Sequence, residues 1–348
     1  MEDGSRINYD YLVVAAGIQI DWGNIPGLPE GLSQEDSGVV SIYDYNGAGK
    51  TYRTFQNIIQ NSNDKPKNLL FTMSPTAIKC AGAPQKIMWL LEDTLRGRGI
   101  RNACNISFWT PGGGMFGVPY YSQKLEKIRQ ERGVEGKFKH NLIRIDVAHK
   151  IAIFQNVDTK EQVKAPFDML HVAPQMGAPD FLKKSAIADD KGWVDVDKHT
   201  LQHKTYKNVF GLGDCTNTPN SKTAAAITSQ APILVHNMML AMQDKPLDGK
   251  YNGYASCPLI IARAKIILAE FGYGGKLMET FSSETGNFPW KYIGTEGALQ
   301  QRFFYFLKET MFPFAYWQLW TRGFWFGTTG LLRPTIDRLD ENEMSSSN

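Results

Sequence analysis

The sequence predicts an α/β fold, in which the strands of a largely parallel sheet alternate with helices. Residues 9–17 form a nearly continuous apolar run that ends in small residues, as buried parallel strands do. Residues 69–72 and 106–110 are two further apolar runs, and the segment between them, 85–96, carries apolar side chains at helical spacing. This order predicts one β-α-β unit, and a chain of 348 residues is long enough for about two domains.

The later elements continue the same alternation. The spacing predicts a helix at 122–132, β structure at 142–147, 151–155 and 169–173, a strand end at 208–214 and a helix at 223–242.

Composition excludes several classes of function. A net charge of +3, without any block of Lys and Arg, does not indicate a nucleic-acid partner. The histidines show neither H-E-x-x-H nor a pairing with cysteine at ligand spacing, so no metal site is predicted. The N-terminus carries neither a signal-peptide core nor a transit segment, and resembles a hairpin from the middle of a domain.

Residues 302–326 differ from the rest of the chain because aromatic side chains crowd together there. Charged residues, Pro313 and Gly323 interrupt every apolar run that would be long enough to cross a bilayer. Aromatic rings with flanking Lys and Arg are typical of a segment that binds at the membrane surface. A helix pair that closes the core of a soluble dimer is the alternative.

The four cysteines, at 80, 104, 215 and 257, are too few for a disulfide scaffold and contain no C-x-x-C pair, which favours catalytic or redox use. Cys80 and Cys257 each lie in a short run of small residues and Pro, which predicts turns that leave both sulfurs reachable by a small substrate. We therefore predict that these two form a redox pair. Cys104 is expected to be a small buried residue, and Cys215 is expected to pack beside Asp214.

Five motifs carry a resemblance to a known family. They are KCAGAPQK at 79–86, GWVDVD at 192–197, VFGLGDCTN at 209–217, SKTAAA at 221–226 and SCPL at 256–259. In this order they resemble the sulfide:quinone oxidoreductases of mitochondrial type, over essentially the whole chain. The resemblance implies two Rossmann-like dinucleotide-binding domains of the flavoprotein disulfide reductase type, one of them holding FAD, followed by a membrane-associating region. The expected division is an FAD-domain remnant at 1–55, a second dinucleotide-binding-like domain at 56–185, a return to the FAD domain at 186–260 and a membrane and quinone region at 261–340.

The resemblance also implies a reaction. Cys80 and Cys257 are expected to form a disulfide, or a bridge with an extra sulfur, which hydrosulfide attacks by thiol–disulfide exchange. Cys257 then carries the persulfide, Cys80 becomes the thiolate that donates electrons to FAD, and ubiquinone receives them. Glutathione or sulfite is the expected acceptor of the sulfane sulfur. The implied location is peripheral, on the mitochondrial inner membrane, and a homodimer is possible.

Six residues are candidates for holding FAD. Gly213 and Asp214 follow an apolar strand, where glycine lets the backbone approach a cofactor and the carboxylate can accept a hydrogen bond from a ribityl hydroxyl. Ala16 and Gly17 end the first strand in the same way. The resemblance places Lys86 and Lys222 near the flavin ring. The alternatives are an ordinary Gly-Asp turn and two solvated lysines.

Two observations on the glycine-rich dinucleotide-binding fingerprint complete the prediction. Residues 112–117 satisfy G-x-G-x-x-G but follow the second strand of their β-α-β unit. That strand ends in Thr110-Pro111, where an acid for a ribose hydroxyl would be expected, so NAD is not predicted. No such fingerprint precedes Tyr9, so the N-terminal β-α-β unit of the FAD domain is expected to be missing, and with it a helix N-terminus that would bind the pyrophosphate. Two rival functions stay open: an NADH:quinone oxidoreductase of related fold, and a truncated, non-catalytic relative that binds membrane through its tail.

Overall fold

A computed structural model of the chain describes residues 4–61, 65–280, 302–327, 330 and 333–340. The strands are β1 (Leu12–Val14), β2 (Gln19–Ile20), β3 (Val39–Val40), β4 (Lys67–Thr72), β5 (Cys104–Thr110), β6 (Glu135–Phe138), β7 (His140–Asp146), β8 (Ile151–Asn156), β9 (Gln162–Pro166), β10 (Met169–His171), β11 (Met176–Gly177), β12 (Val209–Gly211), β13 (Ala255–Ala262) and β14 (Lys265–Phe271). The helices are α1 (Leu28–Ser33), α2 (Tyr45–Gln60), α3 (Ala83–Gly97), α4 (Pro119–Glu131), α5 (Asp180–Lys183), α6 (Ala224–Ala241), α7 (Arg302–Phe306) and α8 (Phe312–Gln318), with a π-helical turn at Leu307–Met311.

The largest sheet has five parallel strands in the spatial order β3-β10-β4-β5-β6. Its centre is the predicted β-α-β unit, β4-α3-β5, which the structure confirms. Both faces of the strands are covered, so Phe71 and Phe108 are almost fully buried with Trp89 of α3. Parallel sheets need this cover on both faces, which explains their near-continuous apolar strands.

Helix α2 was not predicted from the sequence. Its N-cap residue, Asp44, accepts a hydrogen bond from the Gly47 amide at 2.9 Å, which satisfies one of the free amides of the first turn. Only a narrow stripe that includes Phe55 and Ile58 packs against the large sheet. The rest of the helix is polar, and Tyr52, Phe55, Ile58 and Ile59 recur at the spacing of one helical face, so the amphipathic period is present in the sequence although no helix was predicted from it.

An antiparallel sheet, β7-β8-β9, lies beside the parallel one, in agreement with the β structure predicted there. The ring of Phe154 on β8 stacks on Trp109 of β5, with the ring centroids 3.9 Å apart. This contact joins the two sheets through a second core cluster, to which Ile25, Leu28 and Val39 also belong.

A separate two-stranded parallel sheet pairs β1 with β12, although the two strands are about two hundred positions apart along the chain. Because the pairing is parallel, the carboxyl ends of both strands meet at one edge. Ala16 and Gly17 follow β1, and Gly213 and Asp214 follow β12. Helix α6 comes next, and its N-cap Thr223 accepts a hydrogen bond from the Ala226 amide at 3.2 Å. The predicted strands and the predicted helix at 223–242 are confirmed.

The antiparallel hairpin β13-β14 was not predicted either. Its inward-facing side chains pack against α3 in the main core. The aromatic segment then docks on the hairpin through Phe304, which is 2% exposed among Ile260, Ile266 and Leu268. Several large side chains of the same segment remain exposed: Phe306, Met311, Phe314, Tyr316, Trp317 and Phe324. Among the described helices, none combines the length and apolar character that a membrane span requires.

The predicted division into domains stays a prediction. Two packing contacts cross its predicted boundaries. Residues 25–60 contribute Ile25, Leu28, Val39 and Ile58 to the cores around the large sheet. The hairpin β13-β14 continues across the boundary predicted at residue 260.

Candidate redox site

Cys80 lies in the loop between β4 and α3, at the carboxyl edge of the large sheet. Its backbone has φ of 53°, in the left-handed region that non-glycine residues rarely occupy. Two backbone hydrogen bonds hold this conformation: the Cys80 amide donates to the Lys222 carbonyl at 2.9 Å, and its carbonyl accepts from the Ala83 amide at 2.8 Å. The sulfur is therefore positioned by the start of α3 and by the segment that precedes α6.

Cys257 lies on strand β13, so the turn predicted around this cysteine is wrong. It is also only 1% exposed, so the prediction that both sulfurs are open to a small substrate is wrong for Cys257 in this structure. Pro258 does not break the strand, because β13 pairs with β14 and has no other described strand beside it. The Cys257 side chain points to the first turn of α3, where a Cβ on Gly82 would lie 2.5 Å from Cys257 Sγ. Glycine at position 82 therefore lets the cysteine reach the Cys80 loop.

The structure brings the two predicted cysteines together as free thiols, close enough for hydrogen bonding between the sulfurs to act on both pKa values. The Lys86 ammonium, one turn into α3, lies 3.2 Å from Cys80 Sγ. The hydrogen bond from Cys257 lowers the pKa of Cys80 well below its usual value, and Lys86 lowers it further. The same hydrogen bond and burial raise the pKa of Cys257. The two opposite shifts therefore favour the proton on Cys257 and the negative charge on Cys80.

Asp214 lies at the joint carboxyl edge of β1 and β12, close enough to Cys80 for that sulfur's charge to act on it. Burial raises the pKa of the carboxyl, while the positive charges of Lys222 and Lys79 oppose the rise. Its Oδ1 is buried and has no hydrogen-bond partner in the described part of the chain. A buried acceptor in this state costs free energy unless a ligand donates to it, and a ribityl hydroxyl is such a donor.

The other small residues at this edge shape the space beside Asp214. Gly213 has φ of 75°, and its amide donates to Gln230 Oε1 at 2.7 Å. The amides of Ala16 and Gly17 face the sulfur of Cys215, which is fully buried in a core cluster. Burial raises the pKa of Cys215, so this thiol stays protonated. The edge thus combines an unsatisfied acceptor with small residues, which fits a cofactor that bears hydroxyl groups.

Lys222 connects the Cys80 loop with the carboxyl edge of β1 and β12, where Asp214 lies. Its carbonyl accepts from the Cys80 amide, and its ammonium donates to the Thr216 carbonyl at 2.9 Å. The ammonium also lies 4.3 Å from the centre of the Trp193 ring. Burial lowers the pKa of Lys222 to about 8, with Asp214 opposing. The side chain is buried, so the alternative of a solvated lysine is wrong.

A cavity of about 510 Å³ opens between Cys80 and the aromatic segment. Ser256 and Pro258, on either side of Cys257, line the cavity. Aromatic side chains of residues 302–326, here called the tail, line it as well: Phe312, Tyr316, Trp320 and Trp325. Most of the lining is apolar, as in pockets that take flat organic ligands. Residue order alone could not show that the tail and the cysteine loop share one cavity.

Sequence reasoning also missed Lys308, in the π-helical turn of the tail. Burial lowers the pKa of Lys308, and the nearby charge of Lys86 lowers it further, whereas the sulfur of Cys80 opposes the change. The tail thus brings a second amine toward the cysteine pair. A lysine inside a crowded aromatic segment was the signal that could have suggested it.

A larger cavity, about 1030 Å³, lies at the carboxyl edge of β4 and β5 and includes the glycine-rich residues 112–117. The described residues around it include no Asp, Glu, Lys or Arg. The described lining therefore supplies no carboxylate that could accept a hydrogen bond from a ribose hydroxyl.

Comparisons with known proteins place the chain in a family. No protein-family model matches it. It is 44% identical over 335 residues to "Sulfide:quinone oxidoreductase, mitochondrial" of Dictyostelium discoideum, which covers 96% of this chain and 69% of that protein. Its identity to the protein of the same name from Mus musculus is 44% over 327 residues, or 94% of this chain and 68% of that protein.

Solved structures show the same fold at lower identity. The sulfide:quinone oxidoreductase of Aquifex aeolicus matches with a TM-score of 0.62 and 21% identity, over 77% of this chain and 63% of that one. A chain of the Tetrahymena thermophila mitochondrial ATP synthase matches with a TM-score of 0.72 and 21% identity, over 95% of this chain and 76% of that one. With identities above 40% along nearly its whole length, the chain belongs to the sulfide:quinone oxidoreductase family, whose members are FAD-dependent enzymes.

Proposed function

We propose that this chain oxidises hydrogen sulfide through Cys80 and Cys257, reduces ubiquinone, and passes the sulfane sulfur to glutathione or sulfite. The observation that carries the proposal is that both sulfurs lie at the start of α3: Lys86 Nζ is 3.2 Å from Cys80 Sγ, and Cys257 Sγ lies against Gly82. Family membership supports sulfide and quinone as the substrates.

The pKa values of the two thiols support different roles for them. In the oxidised pair, hydrosulfide attacks Cys257 Sγ, a sulfur–sulfur bond forms there, and the Cys80–Cys257 bond breaks. Cys80 leaves with the electron pair, and a thiol of low pKa is the better leaving group in such exchanges. Cys257 is left as the persulfide, which the acceptor thiol or sulfite removes. Lys86 stabilises the Cys80 thiolate throughout this step.

When bound, FAD would supply the two-electron redox chemistry that links the Cys80 thiolate to the quinone. Asp214 would hold the cofactor by accepting a hydroxyl hydrogen bond on its unsatisfied Oδ1. Gly213, Ala16 and Gly17 would leave room beside that carboxylate, and Lys222 would supply positive charge next to it. Lys86 and Lys308 would place further positive charge near Cys80, where negative charge accumulates during turnover.

The apolar cavity would receive the quinone ring between Cys80 and the tail. Residues 302–326 would lie against the mitochondrial inner membrane, since the exposed Phe314, Trp317 and Phe324 suit the headgroup region. The quinone could then reach the cavity from the bilayer without crossing water. Membrane contact and a homodimer stay predictions.

The experiment starts from the purified chain, incubated with FAD and desalted, and follows its visible spectrum as sulfide is added without oxygen. We expect a retained flavin band that bleaches with sulfide, and no bleaching in Cys80→Ser. Bleaching by NADH that survives replacement of both cysteines would instead support the NADH:quinone reductase. Loss of flavin on desalting, together with liposome binding that is the same in Cys80→Ser as in the wild type, would support the non-catalytic relative.

A further inference from the structure

One wall of the quinone cavity carries a buried carboxyl group that the sulfur chemistry does not use. Glu270, on β14, lines the cavity and is 2% exposed. Its Oε1 accepts hydrogen bonds from the Tyr254 hydroxyl at 2.6 Å and from Thr280 Oγ1 at 2.7 Å. The Thr280 amide donates to Oε2 at 2.8 Å. Tyr254 and Thr280 also line the cavity, so the whole group lies at its surface.

A second buried acid lies behind the first. The Tyr121 hydroxyl is 3.1 Å from the Glu270 amide and 3.0 Å from Glu279 Oε1. Burial raises the pKa of Glu270, the hydrogen bonds from Tyr254 and Thr280 oppose this rise, and the charge of Glu279 adds to it. The groups that face Glu270 are thus Tyr254, Thr280, Tyr121 and Glu279, with Cys80 elsewhere on the cavity wall.

Quinone reduction needs a proton that sulfide does not supply. Formation of a quinol consumes two electrons and two protons. Oxidation of one hydrosulfide ion to the sulfane level releases two electrons and one proton. With a thiolate as acceptor, one further proton must therefore enter for each quinone reduced, and it must reach an apolar cavity.

We propose that Glu270 donates this second proton to the quinone. The inference rests on the proposed function and adds a residue to it. The O–H bond of the Glu270 carboxyl breaks as an O–H bond of the quinol forms, and the carboxylate left behind takes a proton from water. Tyr254 and Thr280 orient the carboxyl and stabilise its ionised form between turnovers. Tyr254 is thus a positioning residue.

The test separates the two half-reactions of the FAD-loaded chain. The flavin is first reduced with sulfide and then mixed, without oxygen, with decylubiquinone or with ferricyanide, which accepts electrons and no proton. We expect Glu270→Gln to slow oxidation by the quinone about 100-fold, as loss of a general acid does. Reduction by sulfide and oxidation by ferricyanide should keep their wild-type rates.

Glu279→Gln is the matched control, because Glu279 is also buried but does not line the cavity. It should slow the quinone step far less than Glu270→Gln does. Tyr254→Phe removes a hydrogen bond that lowers the pKa of Glu270, so its quinone step should persist to higher pH than in the wild type. A purely structural role would not move the pH profile in this direction.

Infrared spectroscopy gives a readout that needs no turnover: the carbonyl band of a protonated carboxyl should be present in the wild type and absent in Glu270→Gln. Absence of the band, quinone oxidation of Glu270→Gln at the wild-type rate, or equal slowing with ferricyanide would each overturn the proposal. If sulfide fails to reduce the wild-type flavin, the proposed function fails by itself. Reduction with dithionite then still tests the quinone step.

Discussion

The cysteine pair and the Asp214 edge are neighbouring parts of one site, but their buried polar groups are satisfied in different ways. Cys80 has a hydrogen bond from Cys257, an ammonium partner in Lys86, and two backbone hydrogen bonds. Asp214 Oδ1 is buried without a partner in the described residues. The first region is completed by the protein's own groups, whereas the second keeps a buried acceptor for which we propose FAD as the donor. Substitutions should therefore affect reactivity in one region and cofactor affinity in the other.

Gly82→Ala should have the largest effect, confined to the cysteine region. The added methyl group would lie 2.5 Å from Cys257 Sγ and push the two sulfurs apart. Misplacement of reacting atoms by about 1 Å costs on the order of 100-fold in rate, so we expect sulfide-driven flavin bleaching to slow at least that much. Gly97→Ala, where a Cβ meets nothing within 4 Å, is the control. Equal bleaching rates in the two variants would contradict the predicted contact.

Asp214→Ala should act on the other region. Loss of a hydrogen bond to a charged acceptor costs roughly 1.5–3 kcal/mol, which predicts FAD binding about 10- to 100-fold weaker. The FAD-free chain should keep its stability, because the removed carboxyl is buried and has an unsatisfied oxygen. Titration calorimetry and thermal unfolding measure the two quantities. Asp214→Asn keeps a hydrogen-bond acceptor, so its affinity for FAD should lie between those of the wild type and Asp214→Ala. If FAD-free Asp214→Ala is less stable than the FAD-free wild type, the carboxylate has a structural role instead.

Lys86→Met should shift the pH dependence of the cysteine region. Because Lys86 lowers the pKa of Cys80, its removal raises that pKa, and less thiolate is present at a given pH below it. Loss of a nearby opposite charge shifts a pKa by about one unit or more, so we expect roughly tenfold less thiolate at low pH. Thiol alkylation rates against pH measure this, and Lys86→Arg should restore the wild-type profile. A profile unchanged in Lys86→Met would place the ammonium away from the sulfur.

Lys222→Met should have the smallest effect. The pKa of Lys222 is about 8 in the folded chain and near 10.5 in the unfolded one, so between these values the unfolded chain binds more protons. Stability then rises with pH across this interval. We expect the melting temperature of the FAD-free wild type to gain a few degrees relative to Lys222→Met from pH 8 to 10. Parallel curves for the two proteins would show that Lys222 keeps its ordinary pKa.

Most elements that are set by local sequence pattern were predicted correctly, whereas an element that depends on pairing between segments was missed. Strands such as 69–72 and helices such as 85–96 and 223–242 were predictable because their apolar periodicity is local. Helix α2 was missed although its apolar residues recur at helical spacing, and β13 was missed because Ser256 and Pro258 are typical of turns. Only pairing with β14 makes that segment a strand.

The sequence by itself determined the α/β class, the family, and the identity of Cys80, Cys257 and Asp214 as candidate residues, since these follow from local pattern and motif order. Tertiary structure alone decided how they act. It set Cys257 beside Gly82, Lys86 beside Cys80, and Glu270 on the wall of the tail's cavity. Thiol reactivity and carboxyl pKa depend on distance and burial, and these arise only when segments far apart in the chain pack together.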